Sequence, residues 1–170
     1  VDVFAQCVDM ISTTPQHSND KKETEDWLEG LLDIGEYVKE HSEPGIFRAM
    51  VDDRIQYPGK GSGTGMGTEE LLASVYAMVA SGAKHVSFRS QNFTNPGPLQ
   101  AIPKLTRELT AISSLLEISE PVDMVSYVNS PDVVCRTLLC GDKAVIVLAI
   151  RKTPVASKAP DSVDITLNPP

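Results

Sequence analysis

The stretch Thr68-Glu69-Glu70-Leu71-Leu72-Ala73-Ser74-Val75-Tyr76-Ala77-Met78-Val79-Ala80-Ser81-Gly82-Ala83-Lys84-His85-Val86-Ser87-Phe88 carries a helix, its stop and a strand in one piece. Thr68 offers a hydroxyl to the free N–H groups at a helix start, and Glu69 and Glu70 sit in the first turn, where the helix dipole favours acids. Leu71, Leu72, Val75, Met78 and Val79 recur at helical spacing and form an apolar stripe. Gly82 stands at the C′ position, where a left-handed residue ends a helix. His85 to Arg89 then reads as a strand.

The same rhythm extends in both directions. Val1 to Asp9 reads as a first strand, followed by a polar loop from Ser12 to Asp20. A helix is expected over about Lys22 to Glu40, with Trp27, Leu28, Leu31, Leu32, Ile34, Tyr37 and Val38 as its stripe and Pro44-Gly45 as its stop. Ile46 to Val51 reads as a second strand ending on Asp52-Asp53. Beyond the third strand, a loop runs from Asn92 to Pro98 and a third helix from about Lys104 to Ile118. The order β-α-β-α-β-α implies parallel strands. After Pro121 the pattern changes. Val133–Leu139, Ala144–Ile150 and Val163–Leu167 read as strands, the first two joined by a tight turn at Gly141-Asp142. The reading is an α/β chain: three βα units over 1–121, then a small antiparallel β region over 122–170.

The chain has 170 residues, 41% of them hydrophobic and 22% charged, and a formal net charge of −8. That length fits one domain, or one and a half. The longest apolar run, Ala144 to Ile150, has seven residues, against the roughly 18 needed to read a transmembrane helix. The chain opens on Val1, so Val1 reads as a processed terminus or the start of a fragment. Lys and Arg are scattered, leaving no basic patch for nucleic acid. Cys7, Cys135 and Cys140 make no disulfide framework, and His17, His41 and His85 are isolated, so no metal site is expected. The compartment is not legible.

The glycines at 59, 61, 63, 65 and 67 invite a phosphate-binding reading that fails in detail. Lys60 is followed by Gly61, where a P-loop needs Ser or Thr, and the dinucleotide spacing meets Met66 or Thr68 in place of its third glycine. No cofactor is expected, and a loop over a site is the better reading of Tyr57 to Gly67. Ser12, Ser87 and Ser90 have no His and acid arranged near them in sequence. Asn92-Phe93-Thr94 fits a glycosylation sequon, which matters only for a secreted chain.

The order of elements, the stretch "TEELLASVYAMVASGAKHVSF" and the later "LTRELTAISSLL" resemble the C-terminal third of a (β/α)8-barrel glycoside hydrolase of the β-galactosidase-like clan, followed by the start of a β-sandwich. In that family a capped helix leads through a "GAKG"-like turn into the eighth barrel strand; here the turn reads Gly82-Ala83-Lys84-His85. The resemblance spans roughly Val1 to Leu167 and rests on diffuse patterns. It implies that the three strands are the sixth to eighth of a barrel, with an active site at their C-terminal ends. Asp52 and Asp53 then stand about where the family carries its nucleophilic Glu. Asp is shorter by roughly 1.5 Å of reach, enough to disturb attack geometry. Asp9, Arg89, Gln91 and Asn92 become substrate-binding candidates. The family's acid/base follows a fourth strand that this chain does not contain.

The alternation of the second strand groups Phe47, Ala49 and Val51 with Asp53, and Ile46, Arg48 and Met50 with Asp52. Small Ala49 suits a crowded barrel interior and favours Asp53. The functional expectation is a glycoside-hydrolase-like barrel portion acting on a carbohydrate, enzymatic if a longer chain completes it. The alternative is a non-catalytic structural or interaction subunit that keeps the fold, favoured by Asp in place of Glu and by only 5% aromatic residues. Three parallel strands leave open edges, so another chain or a missing segment is expected to complete the fold. The all-apolar run Ala144–Ile150 is expected to be covered on both faces.

Overall fold

A computed structural model describes residues 11–13, 28–33, 35–37, 40, 48–52, 67–89, 96–142, 144–152 and 162–168. The chain is mixed α/β. Strands β1 (Ile11–Thr13), β2 (Arg48–Asp52) and β3 (His85–Arg89) form a parallel sheet in the order β1-β2-β3. The register pairs Ile11 with Ala49 and Ala49 with Val86. Ser12 and Thr13, expected in a loop, are therefore strand residues: hydrogen bonding to β2 outweighs their polarity. The strand expected over Val1–Asp9 lies outside the described residues.

The first helix, α1, is described at 28–33, 35–37 and 40. Leu28, Leu31 and Leu32 are buried, as the stripe requires; Trp27 lies outside the described residues. Helix α2 spans Thr68–Ala80. Its N-cap is Gly67, not Thr68, and the Glu70 carboxylate accepts a 2.6 Å hydrogen bond from the Gly67 N–H. Half of a capping box thus replaces the expected hydroxyl cap. Its C-terminus follows the sequence reading. Gly82 has φ +95°, the Ala83 N–H bonds the Met78 carbonyl at 3.0 Å, and the Gly82 N–H bonds that of Val79 at 2.9 Å. These two bonds define a Schellman stop.

The third helix begins earlier than expected. α3 spans Pro96–Ala111, and after a break at Ile112 a short α4 runs over Ser113–Glu117. Pro96-Gly97-Pro98 looks like a breaker, but the first turn of a helix has no internal acceptors for its N–H groups, so proline fits there. Two strands escaped the sequence reading: β4 (Ser119–Val122) and β5 (Val125–Val128). Both are short, and Pro121 masks β4. The remaining strands are β6 (Val133–Cys140), β7 (Ala144–Arg151) and β8 (Ile165–Leu167). β4-β6-β7 make one antiparallel sheet and β5-β8 a second, two-stranded one. Cys140 pairs with Ala144, so the hairpin loop is the three residues 141–143, with Gly141 at φ +62°.

The helices form a layer between the parallel sheet and the β6–β7 face. One apolar cluster joins Leu28, Leu31 and Leu32 of α1 to Ala49 of β2, Ala73, Ala77 and Met78 of α2, and Ile150 of β7. A second joins Leu71, Val75 and Val79 of α2 to Leu105 of α3 and Leu138 of β6, with Val86 and Phe88 of β3 partly buried against it. Residues on both sides of position 121 share both clusters. Each fully buried Leu, Val or Met contributes about 1.5–3 kcal/mol, which makes α2, buried nearly all round, the pivot of the structure.

β7 is not covered on both faces. Ile146, Leu148 and Ile150 face the helices, whereas Val145 and Val147 are 37% and 38% exposed. An apolar run gives no periodicity, so sequence alone could not tell one buried face from two.

Lys84 secures the junction between the two kinds of sheet. Its Nζ donates to the Leu116 carbonyl at 2.7 Å, to the Ser119 carbonyl, and to the Ser119 Oγ at 3.1 Å. Burial pulls its pKa below the usual lysine value, against the opposing influence of Cys140 and Glu120. Thr137, fully buried, donates to the Val122 carbonyl at 2.5 Å and accepts from the Met124 N–H at 3.2 Å, tying β6 to the β4–β5 connection.

Candidate functional site

In βα units the strands end where the helices begin, so their C-terminal edge collects the loops that carry chemistry. Here that edge brings two of the sequence candidates together. Asp52 is the last residue of β2, Arg89 the last of β3, and the two are paired in register. The segments that follow them lead to Gly67 at the head of α2 and to Pro96 at the head of α3. Asp9, Asp53, Gln91 and Asn92 lie outside the described residues, as do Tyr57 to Met66 of the glycine-rich stretch.

The strand alternation corrects one inference. Ala49 is 1% exposed and packs with Leu28, Leu31, Ala77 and Met78 of the helices. Ala49 points to the helices, not into a barrel interior: its small side chain suits close approach of α1 and α2. In the next strand Val86 and Phe88 take the helix side, while His85 and Ser87 alternate with them and are exposed. By register, Arg48 lies opposite His85, Met50 opposite Ser87 and Asp52 opposite Arg89. These pairs belong to the alternate set to which Ala49 does not belong.

A second feature lies near the other end of α2. A cleft of about 420 Å³ opens between α1, the end of α2, the β4–β5 connection and β6. Glu36, Asp123 and Arg136 bring charge to it, and Leu32, Val122 and Val125 line its apolar part. All three charged residues are exposed. Arg136 donates from Nη1 to the Cys135 carbonyl at 3.2 Å. Among the described residues no carboxylate lies within ion-pair distance of it. The Cys135 thiol in the same lining is buried, and burial pushes its pKa up, with Arg136 pulling the other way. That places it among inert thiols; Cys140 is likewise buried and free.

The sequence reading did not find this cleft. Its charges stand at 36, 123 and 136, on three separate elements, with no spacing to connect them; the β4–β6 pairing brings 123 near 136, and the packing of α1 against α2 adds 36. Among the described residues no group of three or more His, Cys, Asp and Glu converges on a metal-sized site, and no helix is long and apolar enough to cross a membrane. Comparison with protein-family models, curated proteins and solved structures returns no match.

Proposed function

We propose that the chain is the C-terminal portion of a (β/α)-barrel glycoside hydrolase acting on a carbohydrate, completed by further parallel strands from a longer chain or a second chain. One observation carries the reading. In β3, Val86 and Phe88 pack toward the helices while His85 and Ser87 are exposed on the alternate set, in register with Arg48 and Met50 of β2, and Asp52 and Arg89 are paired in register at the C-terminal ends. A doubly wound sheet would need apolar residues on both faces; a barrel gathers polar residues at the mouth. In this reading Asp52, the last residue of β2 and on the alternate set from Ala49, is the candidate nucleophile taken forward; Asp53 lies outside the described residues. Arg89 orients the sugar or the carboxylate. A retaining mechanism needs its second carboxyl about 5–5.5 Å away, and the completing segment supplies it.

The test is turnover of a panel of aryl glycosides by the chain joined to its completing segment. Asp52→Asn should cut turnover by roughly a thousandfold or more with the melting temperature unchanged. Wild-type activity in Asp52→Asn refutes the assignment. Absence of turnover in the wild type leaves the second reading, a non-catalytic interaction subunit. That reading is favoured by Asp where the family carries Glu and by the uncovered Val145 and Val147 of β7.

A further inference from the structure

We propose that the cleft between α1, the C-terminal end of α2 and β6 is a binding site for a small zwitterion, a free amino acid with an apolar side chain. The site is separate from the strand edge and does not rest on the glycosidase reading.

Glu36 of α1, Asp123 of the β4–β5 connection and Arg136 of β6 all line the cleft and do not pair with one another. Exposed charges of opposite sign gain little from pairing with one another. Among the described residues neither carboxylate forms an ion pair or hydrogen bond, and Arg136 makes a single bond to a neighbouring backbone carbonyl. Among the described residues the guanidinium has further donors in its planar fork without a partner, the geometry that takes a carboxylate with two parallel bonds. The two carboxylates accept, which suits an ammonium group.

The rest of the lining fits the third part of such a ligand. Leu32, Val122 and Val125 offer apolar surface to a side chain. The volume of about 420 Å³ falls in the range of small-molecule sites, about 300–1,000 Å³. The floor is also rigid. α1 and α2 approach so closely at Gly35 and Ser81 that a Cβ at Gly35 would collide with the Ser81 side chain. Ser81 lines the cleft, and its hydroxyl is held by the Ala77 carbonyl at 3.0 Å. The backbone at Glu36, next to Gly35, is thereby held close to the end of α2. A simple cation would leave Arg136 opposing it, and a simple anion would face two carboxylates; a zwitterion satisfies both signs.

The experiment is a titration of L-leucine into the chain, in the oligomeric form in which it purifies, by calorimetry and by methyl chemical shifts. Saturable one-to-one binding is expected, with shifts at Leu32, Val122 and Val125. 3-Methylbutylamine, which lacks the carboxylate, and 4-methylpentanoate, which lacks the ammonium, should each bind at least roughly tenfold more weakly. Arg136→Met and the double variant Glu36→Gln/Asp123→Asn should each weaken leucine by roughly tenfold or more. Arg136→Lys keeps the charge without the fork and should fall between. The exposed positions make unchanged melting the expected control. The proposal is overturned by absence of saturation up to about 20 mM leucine, by binding that survives Arg136→Met undiminished, or by the amine binding as well as leucine.

Discussion

Gly35→Ala is the most direct probe of how α1 is held. In an exposed helix interior this change stabilises by roughly 0.5–1 kcal/mol, because alanine loses less backbone freedom on folding. Here the sign should reverse. A Cβ built at Gly35 would overlap the Cβ and Oγ of Ser81, whereas the Ser81 Cα lies 3.7 Å away, at ordinary contact distance. The Ser81 Cβ is fixed to the C-cap of α2, and its hydroxyl is bonded to Ala77, so it cannot swing aside. Overpacking against such atoms costs about 1–3 kcal/mol; with the propensity gain subtracted, a net loss of about 1–2 kcal/mol is expected. The diagnostic is the double variant Gly35→Ala/Ser81→Gly, which removes both offending atoms. Urea unfolding followed by circular dichroism should show the Gly35→Ala loss largely absent in the Ser81→Gly background, a coupling of about 1–2 kcal/mol. A Gly35→Ala variant as stable as wild type, or strict additivity of the two changes, refutes the packing argument.

Two further substitutions test the joints of the fold. Lys84→Met removes three hydrogen bonds between the α2–β3 turn and the α4–β4 junction; a loss of about 2–3 kcal/mol is expected, read as a lower urea midpoint with unchanged slope, and a loss under about 0.5 kcal/mol would place the contact among inconsequential surface bonds. Tyr76 of α2 donates a 2.6 Å bond to Glu108 of α3, and burial first, then the bond and charge of Glu108, push its pKa up from 10.0 to about 12. A raised folded pKa means that this contribution is complete below pH 10 and is lost as pH climbs through about 12. Stability measured across that window should fall less steeply in Glu108→Gln, and a tyrosinate absorbance titration of the folded wild type at the ordinary phenol value would contradict the account.

What could be read from sequence followed the punctuation. Gly82, with its positive φ, and the leucine stripe of α1 are legible because glycine and helical period have few other meanings. Proline misled in both directions: Pro96 and Pro98 lie in a first helical turn, and Pro121 lies inside β4. Each sits where no N–H is required, a fact about tertiary place rather than local propensity. Ala49 shows the same limit. Its size suggested a crowded surface correctly, but a barrel interior and a helix contact are both crowded, and only the packed structure says which. The register that pairs Asp52 with Arg89 depends on the alignment of strands separated by a helix, which no local pattern records.

The two proposed sites can be tested independently, and the geometry of α2 says why. The strand edge feeds the N-terminus of α2 at Gly67, whereas Ala80 and Ser81 at its other end line the cleft. A helix of 13 residues at 1.5 Å per residue separates the two ends by about 20 Å. Exposed charges that far apart are screened at physiological salt, where the Debye length is about 8 Å. α2, a well-packed body buried on nearly every side, is the element that reaches both places, and its Ser81 is in contact with Gly35 of α1. Loss of any influence of leucine on the strand edge in the Gly35→Ala/Ser81→Gly variant, with leucine still bound, would locate the path; an unchanged influence would exclude it.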